Sequence, residues 1–173
     1  MLPCSRVSKA FTKESDLPEV TLRPRLTSPL PPGAKNYLTA SGAEQLRREL
    51  DTLLNEERPR LTGGGEEMAD ELRILQQRVE QIQDILQSAT IVPLPVAPDD
   101  VVRFGATVTV QERSGEETTY RIVGVDETDL DRNWVSWISP IAKALLNARV
   151  GQQVRFKFPS GEEVLKIISI CYE

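Results

Sequence analysis

The chain of 173 residues has no histidine and only two cysteines, Cys4 and Cys171. Each shortage closes off a class of chemistry. Without imidazole there is no Ser-His-Asp or Cys-His nucleophile system and no His-ligated zinc. Two thiols cannot complete a four-cysteine metal site, and this pair makes no disulfide framework. They are expected as free thiols in a reducing cytoplasm. No apolar run approaches the ~20 residues of a membrane span, so no membrane partner is expected. The opening residues, MLPCSRVSKAFTKE, lack the apolar core of a signal peptide. A basic excess is missing too. The 26 acidic and 21 basic residues leave a net charge of −5, which argues against gripping naked nucleic acid by charge alone. The length fits one domain or two small ones, at roughly 100–200 residues per domain.

Proline, by contrast, is plentiful at one end. Six of the twelve prolines fall in the first 32 residues. That stretch has few aliphatic residues and no helical or strand period. Proline fixes φ and removes a donor, so 24–32 should be extended. Residues 1–36 are therefore read as a disordered, proline-rich arm. Its charge through residue 40 is +3. It is either a simple tail or an arm that folds onto a partner.

Residues 37–92 read as a helical hairpin with its tip near 62–66. Thr39 or Ser41 can cap the start, and Ser41-Gly42-Ala43-Glu44 matches a capping box, with the glutamate reaching back. Ala43, Leu46, Leu50 and Leu53 make one apolar seam. Met68, Leu72, Leu75, Val79, Ile82 and Leu86 make a second. Gly63-Gly64-Gly65 between them suits a turn. Pro59 should disturb the end of the first helix and cost it a hydrogen bond. This region holds eleven acidic and six basic groups, so the most acidic part of the chain lies beside a basic arm.

Residues 93–98, with Pro93, Pro95 and Pro98, read as a linker. From 99 to 173 the pattern turns to β. Ala106–Val110 alternates, and Thr118–Val125 returns after Ser114-Gly115. Trp134–Ile138 is a third strand candidate. Pro140–Asn147 is a short helix with proline in its first turn. Gln153–Phe158 and Glu163–Tyr172 flank a turn at Pro159-Ser160-Gly161. The expected class is α+β: a helical hairpin, then an antiparallel sheet domain with one short helix. One tryptophan of Trp134 and Trp137 should be core, the other an exposed anchor.

This order of parts resembles the GreA/GreB transcription elongation factors, the GreB branch most. The resemblance rests on Tyr37-Leu38-Thr39 through Gly42, Leu46, Glu49-Leu50 and Glu56-Glu57-Arg58-Pro59. It continues through Phe104-Gly105-Ala106, Tyr120–Gly124, Ser139–Leu146, Val150-Gly151 and the turn from Pro159 to Glu162. It places Tyr37–Gly42 in the family's first helix. It implies an FKBP-like fold for 99–173 and binding to core RNA polymerase at the rim of the secondary channel, against the largest subunit. Nucleic acid would then be met only within the elongation complex. The resemblance implies a monomer that is not itself an enzyme, with no cofactor beyond Mg2+ shared inside the polymerase. Ser139, Pro140, Ile141 and Ala142 match the docking loop. For Leu145 and Leu146 plain packing of the helix on the sheet is the expectation. Ile138 stands where the family has an acidic residue.

The departure is at the tip. The family carries acidic residues there that help hold a second Mg2+ in the polymerase. Glu67 falls on the motif's glutamate, but Gly64 falls where the motif has aspartate. Glu66 and Asp70 are the neighbouring acidic candidates. Helices of about 21 and 24 residues are roughly fifteen residues short across both arms, ~10 Å of reach at ~1.5 Å per residue. The expectation is weak or absent stimulation of transcript cleavage. The alternatives are a cleavage-competent factor using Glu66 and Glu67, or a short-hairpin regulator of the Rnk type. The plain reading of Glu66, Glu67, Asp70 and Glu71 is a set of acids favoured at a helix start. Arg47, Arg48, Arg58 and Arg60 are candidate contacts to RNA or polymerase, or simply a solvated face.

Overall fold

A computed structural model describes residues 30–95, 100–158 and 161–172, without the side chains of Glu66, Glu67 and Phe158. Most of the arm, part of the linker and the Pro159-Ser160 turn lie outside the described residues. The order is β1 (Tyr37–Thr39), α1 (Ala40–Thr52), a π-helical turn (Leu53–Glu57), α2 (Arg58–Thr62) and a 3-10 turn (Gly65–Met68). Then come α3 (Ala69–Ser88), β2 (Thr90–Val92), β3 (Ala106–Gln111), β4 (Glu117–Val123), β5 (Trp134–Ser136), α4 (Pro140–Leu145), β6 (Gln153–Phe158) and β7 (Gly161–Tyr172).

The α+β class is as expected. The two helical arms share one apolar seam of Ala43, Leu46, Leu53, Leu61, Leu75, Val79, Ile82 and Ile85. Burying each large aliphatic side chain there contributes ~1.5–3 kcal/mol. Pro59 does not end the helix, which runs on to Thr62. Its ring crowds the carbonyl four residues back, and its nitrogen donates nothing. The π turn absorbs this, with the Arg58 N–H bonding five residues back to the Leu53 carbonyl.

The capping box is also different from the expectation. Thr39 is the N-cap, and its Oγ1 accepts from the Gly42 N–H at 2.9 Å. Glu44 does not reach back; it pairs with Arg48 one turn on. Tyr37–Thr39 is not helix but a short strand, pairing in parallel with Thr90–Val92. The two ends of the helical segment are thereby stitched together at its base.

The five-stranded sheet has the order β5-β4-β3-β7-β6. Strand β3 alternates as read, with Ala106, Val108 and Val110 fully buried. The sheet is not wholly antiparallel, because β5 runs parallel to β4. A parallel neighbour demands a crossover rather than a tight turn. The crossover here is residues 124–133, and it carries Glu127 to the base of α1. The sheet core of Val102, Val108, Val110, Ile122, Leu145, Leu165 and Ile167 is covered by α4.

Candidate functional site

The tip begins where α2 stops. Gly63 closes that helix, and Gly65 takes φ +70°, a conformation that glycine adopts without strain. Gly64 sits tightly: a Cβ built there meets Met68 Cγ at 2.3 Å. An aspartate at 64 therefore requires Met68 to move. Glu66 and Glu67 lie on the 3-10 turn, and their side chains are outside the description. Asp70 is exposed in the first turn of α3 and pairs with Arg73 at 3.3 Å. Among the described residues no group of three or more Cys, Asp or Glu is placed to hold a metal ion.

Two of the four candidate arginines of the first arm have local carboxylate partners. Arg48 pairs with Glu44, and Arg60 with Glu57 at 3.0 Å. Arg47 and Arg58 are exposed. The buried ion pair of the arms was not among the sequence candidates. Arg78 donates from Nε to Glu49 Oε1 at 2.6 Å, from Nη2 to Oε2 at 2.9 Å and from Nη1 to Gln81 Oε1 at 2.9 Å. The Arg78 side chain is 10% exposed and Glu49 31%. Glu49→Ala strands a guanidinium inside the seam. It is expected to cost about 2 kcal/mol in urea denaturation, below the fully buried range because Glu49 is partly solvated. The double change Glu49→Ala with Arg78→Met should recover most of that loss.

The 139–142 turn is built by its own sequence. Ser139 is the N-cap of α4, its Oγ accepting from the Ala142 N–H at 3.2 Å, and Pro140 sits exposed at the first helical position. Ile141 is half-buried and packs on the sheet core. Ala142 is completely buried, so its side chain offers nothing to a partner. Leu145 is likewise core, as expected.

Both tryptophans are half-buried, so neither is simply core or exposed. Trp137 packs edge-on against Tyr37 at 5.2 Å, and Tyr37 in turn meets Phe104 at 5.8 Å. These rings seat β1 on the sheet domain. Trp134 lies under Arg121 and Arg132, whose guanidinium carbons are 4.9 and 5.3 Å from its ring centroid. At the far end of the sheet the Glu112 carboxyl is held above the ordinary carboxylate range, first by its hydrogen bond with Glu163.

The residue that organises the junction is Glu127, which was not a sequence candidate. It is 6% exposed. Its Oε2 accepts from the Thr39 N–H at 2.9 Å and the Gly124 N–H at 3.0 Å, and its Oε1 accepts from the Thr39 hydroxyl. Thr39 thus caps α1 and is itself held by the crossover. Asn36 adds a bond from Nδ2 to Asp126 Oδ2 at 2.9 Å. The only sequence signal was the pattern Gly124-Val125-Asp126-Glu127 after an apolar strand.

A helical segment latched at its base to a small sheet covered by one short helix defines the class: a two-part α+β protein. The family model for the C-terminal part of the transcription elongation factors GreA/GreB matches residues 97–172. GreB of Neisseria meningitidis serogroup A is 36% identical over 154 residues, covering 80% of this chain and 94% of its own. GreA of Alkalilimnicola ehrlichii is 38% identical over 156 residues, covering 80% and 99%. The crystal structure of GreA factor homolog 1 of Thermus thermophilus is 25% identical over 80% of this chain and 99% of its own, at a TM-score of 0.39. The chain belongs to the GreA/GreB family of transcription elongation factors.

Proposed function

We propose that this chain is a monomeric, cytoplasmic elongation factor that acts on RNA polymerase without strongly stimulating transcript cleavage. The sheet domain, read as FKBP-like, docks at the rim of the secondary channel. The Ser139-Pro140-Ile141 turn is the contact, Ser139 setting the helix start and Pro140 presenting an exposed ring. The helical arms, read as a short antiparallel coiled coil, point into the channel. The chain contributes no active site of its own.

The observation that carries the weak-cleavage reading is the tip. The second arm is 20 residues long, ~30 Å at ~1.5 Å per residue. The position of one tip acid is held by Gly64, packed against Met68. A carboxylate must lie within ~2.0–2.6 Å of a cation to bind it. A side chain cannot span a shortfall of ~10 Å, the length of several helical residues.

The test is competition with a cleavage-competent GreB for core polymerase, with cleavage of backtracked RNA measured in the same reaction. The chain alone should give little cleavage, and added to GreB it should suppress it. Pro140→Ala should weaken the suppression. Gly64→Asp should not create cleavage, because reach is still missing. Robust cleavage by the chain alone, abolished by Glu67→Ala, overturns this reading in favour of a cleavage factor.

A further inference from the structure

A groove of about 480 Å³ lies at the base of the helical arms, between α3, the crossover and the chain that enters β1. Glu80, Asp84 and Ile85 stand on its α3 wall, and Val125 and Asp126 on its crossover wall. Three carboxylates thus line it, and among the described residues no lysine or arginine does. None of the three is ion-paired among the described residues. Glu80 accepts from the neutral Gln76 amide at 3.0 Å, and Asp126 from the neutral Asn36 amide at 2.9 Å. The two arginines of α3 are committed elsewhere, Arg73 to Asp70 and Arg78 to Glu49. Glu80 and Asp84 are four residues apart on one helix face, where like charges repel. Asn36 also lines the groove, and its Oδ1 is buried with no hydrogen-bond partner among the described residues.

The chain itself leads into this groove. The Pro31 carbonyl accepts from the Ala34 N–H at 2.9 Å, and Gly33 takes φ +81°. With Pro32 and Gly33 in the central positions this is a type II turn. It reverses the backbone, and Leu30, half-buried just before it, lines the groove. Residues 20–29, immediately upstream, hold Arg23 and Arg25, the apolar Leu22 and Leu26, and no acid. Arg25 and Arg23 precede Leu30 by five and seven residues, at most ~17 and ~24 Å of chain at ~3.4 Å per residue. Glu80 to Ser88 on α3 spans only ~12 Å at ~1.5 Å per residue. Both arginines are therefore within reach of Glu80 and Asp84.

We propose that residues 20–29 dock in this groove as an intramolecular strap. Arg23 and Arg25 neutralise Glu80, Asp84 and Asp126, and Leu26 packs on Ile85 and Val125. The strap lies over the crossover beside Glu127, so it adds the basic arm to the junction that holds the helices to the sheet.

The test is limited trypsin digestion of the full chain at low salt, read by mass spectrometry. Trypsin does not cut Arg23-Pro24, so cleavage of Arg25-Leu26 reports the strap, and cleavage of Lys9-Ala10 reports the arm outside it. Each rate is normalised to that of a free peptide of residues 1–30. Cleavage of a transiently opened segment tracks the open population. Arg25-Leu26 should therefore be protected, and Lys9-Ala10 much less so. Glu80→Gln with Asp84→Asn should speed cleavage after Arg25 by about fivefold or more, the effect of losing two partly screened ion pairs. Both residues are exposed, so the variant should keep its fold, checked by circular dichroism. Arg23→Gln should release the strap from the arm side without touching α3. Glu116→Gln, in the turn between β3 and β4, should leave both rates unchanged. Four results overturn the proposal: Arg25-Leu26 cut as fast as in the free peptide, protection unchanged in the acid double variant and in Arg23→Gln, an equal effect of Glu116→Gln, or protection lost on hundredfold dilution. The last would assign the segment to the groove of a second copy.

Discussion

Replacing Glu127 by alanine is expected to lower stability by about 3 kcal/mol or more, the largest loss for a single polar side chain among the described residues. Three donors converge on its carboxyl oxygens: the Thr39 N–H, the Thr39 hydroxyl and the Gly124 N–H. Thr39 is 2% exposed and Glu127 6%, so water does not replace the lost acceptor. Each stranded buried donor costs ~1–3 kcal/mol. The Thr39 hydroxyl also orients the cap of α1, so its loss propagates into the first helical turn, where a cap is worth ~1 kcal/mol. Glu127→Gln should be far milder. Its amide oxygen can serve the two N–H donors, and its NH2 can donate to the Thr39 oxygen. Urea denaturation measures both variants. Amide exchange at Thr39 and Gly124 should quicken sharply in Glu127→Ala and little in Glu127→Gln. Equal, small losses in both variants would show that the carboxyl does not hold the junction.

Gly42→Ala is expected to destabilise strongly, against the usual sign. In an ordinary helix interior alanine is better than glycine by ~1 kcal/mol. Here a Cβ at position 42 would lie 1.7 Å from Glu127 Oε1 and 2.2 Å from its Cδ. The carboxyl must leave its three donors or α1 must move off the crossover. The cost should approach that of removing Glu127 itself. The same geometry predicts non-additivity, as expected for residues in contact. In a Glu127→Ala background the clash is gone, so Gly42→Ala should become neutral or slightly stabilising. Additive losses in the double variant would sink the steric account. Gly124→Ala gives a second handle, because its Cβ would meet the Tyr37 backbone oxygen at 2.2 Å, and backbone yields less readily than a side chain.

Much of this architecture is legible from residue order because it depends on local period. The seams on 43–53 and 68–86 repeat at helical spacing, and the cluster contains them, with Leu50, Met68, Leu72 and Leu86 only partly buried and Leu61 and Ile85 added to the buried set. The alternation of Ala106 to Val110 maps one to one onto buried and half-buried positions. Ser139-Pro140 announces its helix through cap chemistry that acts within three residues. The misreadings lie where a distant partner decides. Tyr37–Thr39 carries no strong strand signal, and it is strand because Thr90–Val92 offers it a ladder. The Ser41–Glu44 box fails because Glu127, 88 residues from Thr39, supplies the acceptor instead. Pro59 disturbs the first helix as its missing N–H requires, but the form of the disturbance, a π turn with Leu53 and Leu61 still packed in the seam, is set by tertiary packing.

The candidate site divides the same way. The Ser139 cap with Pro140 behind it and the glycine at 64 are visible in the sequence, since they need only residue identity. Ala142 shows the limit: it belongs to the same short segment, but its side chain is buried in the sheet core. By itself the sequence determined the family and the helical and β regions, because periodicity and side-chain identity are local properties. Only the tertiary structure decided which carboxylate latches the helices to the sheet, which strand runs parallel and which arginines meet over Trp134. Those outcomes depend on groups far apart in the chain arriving within hydrogen-bonding or stacking distance, and no local pattern encodes that meeting.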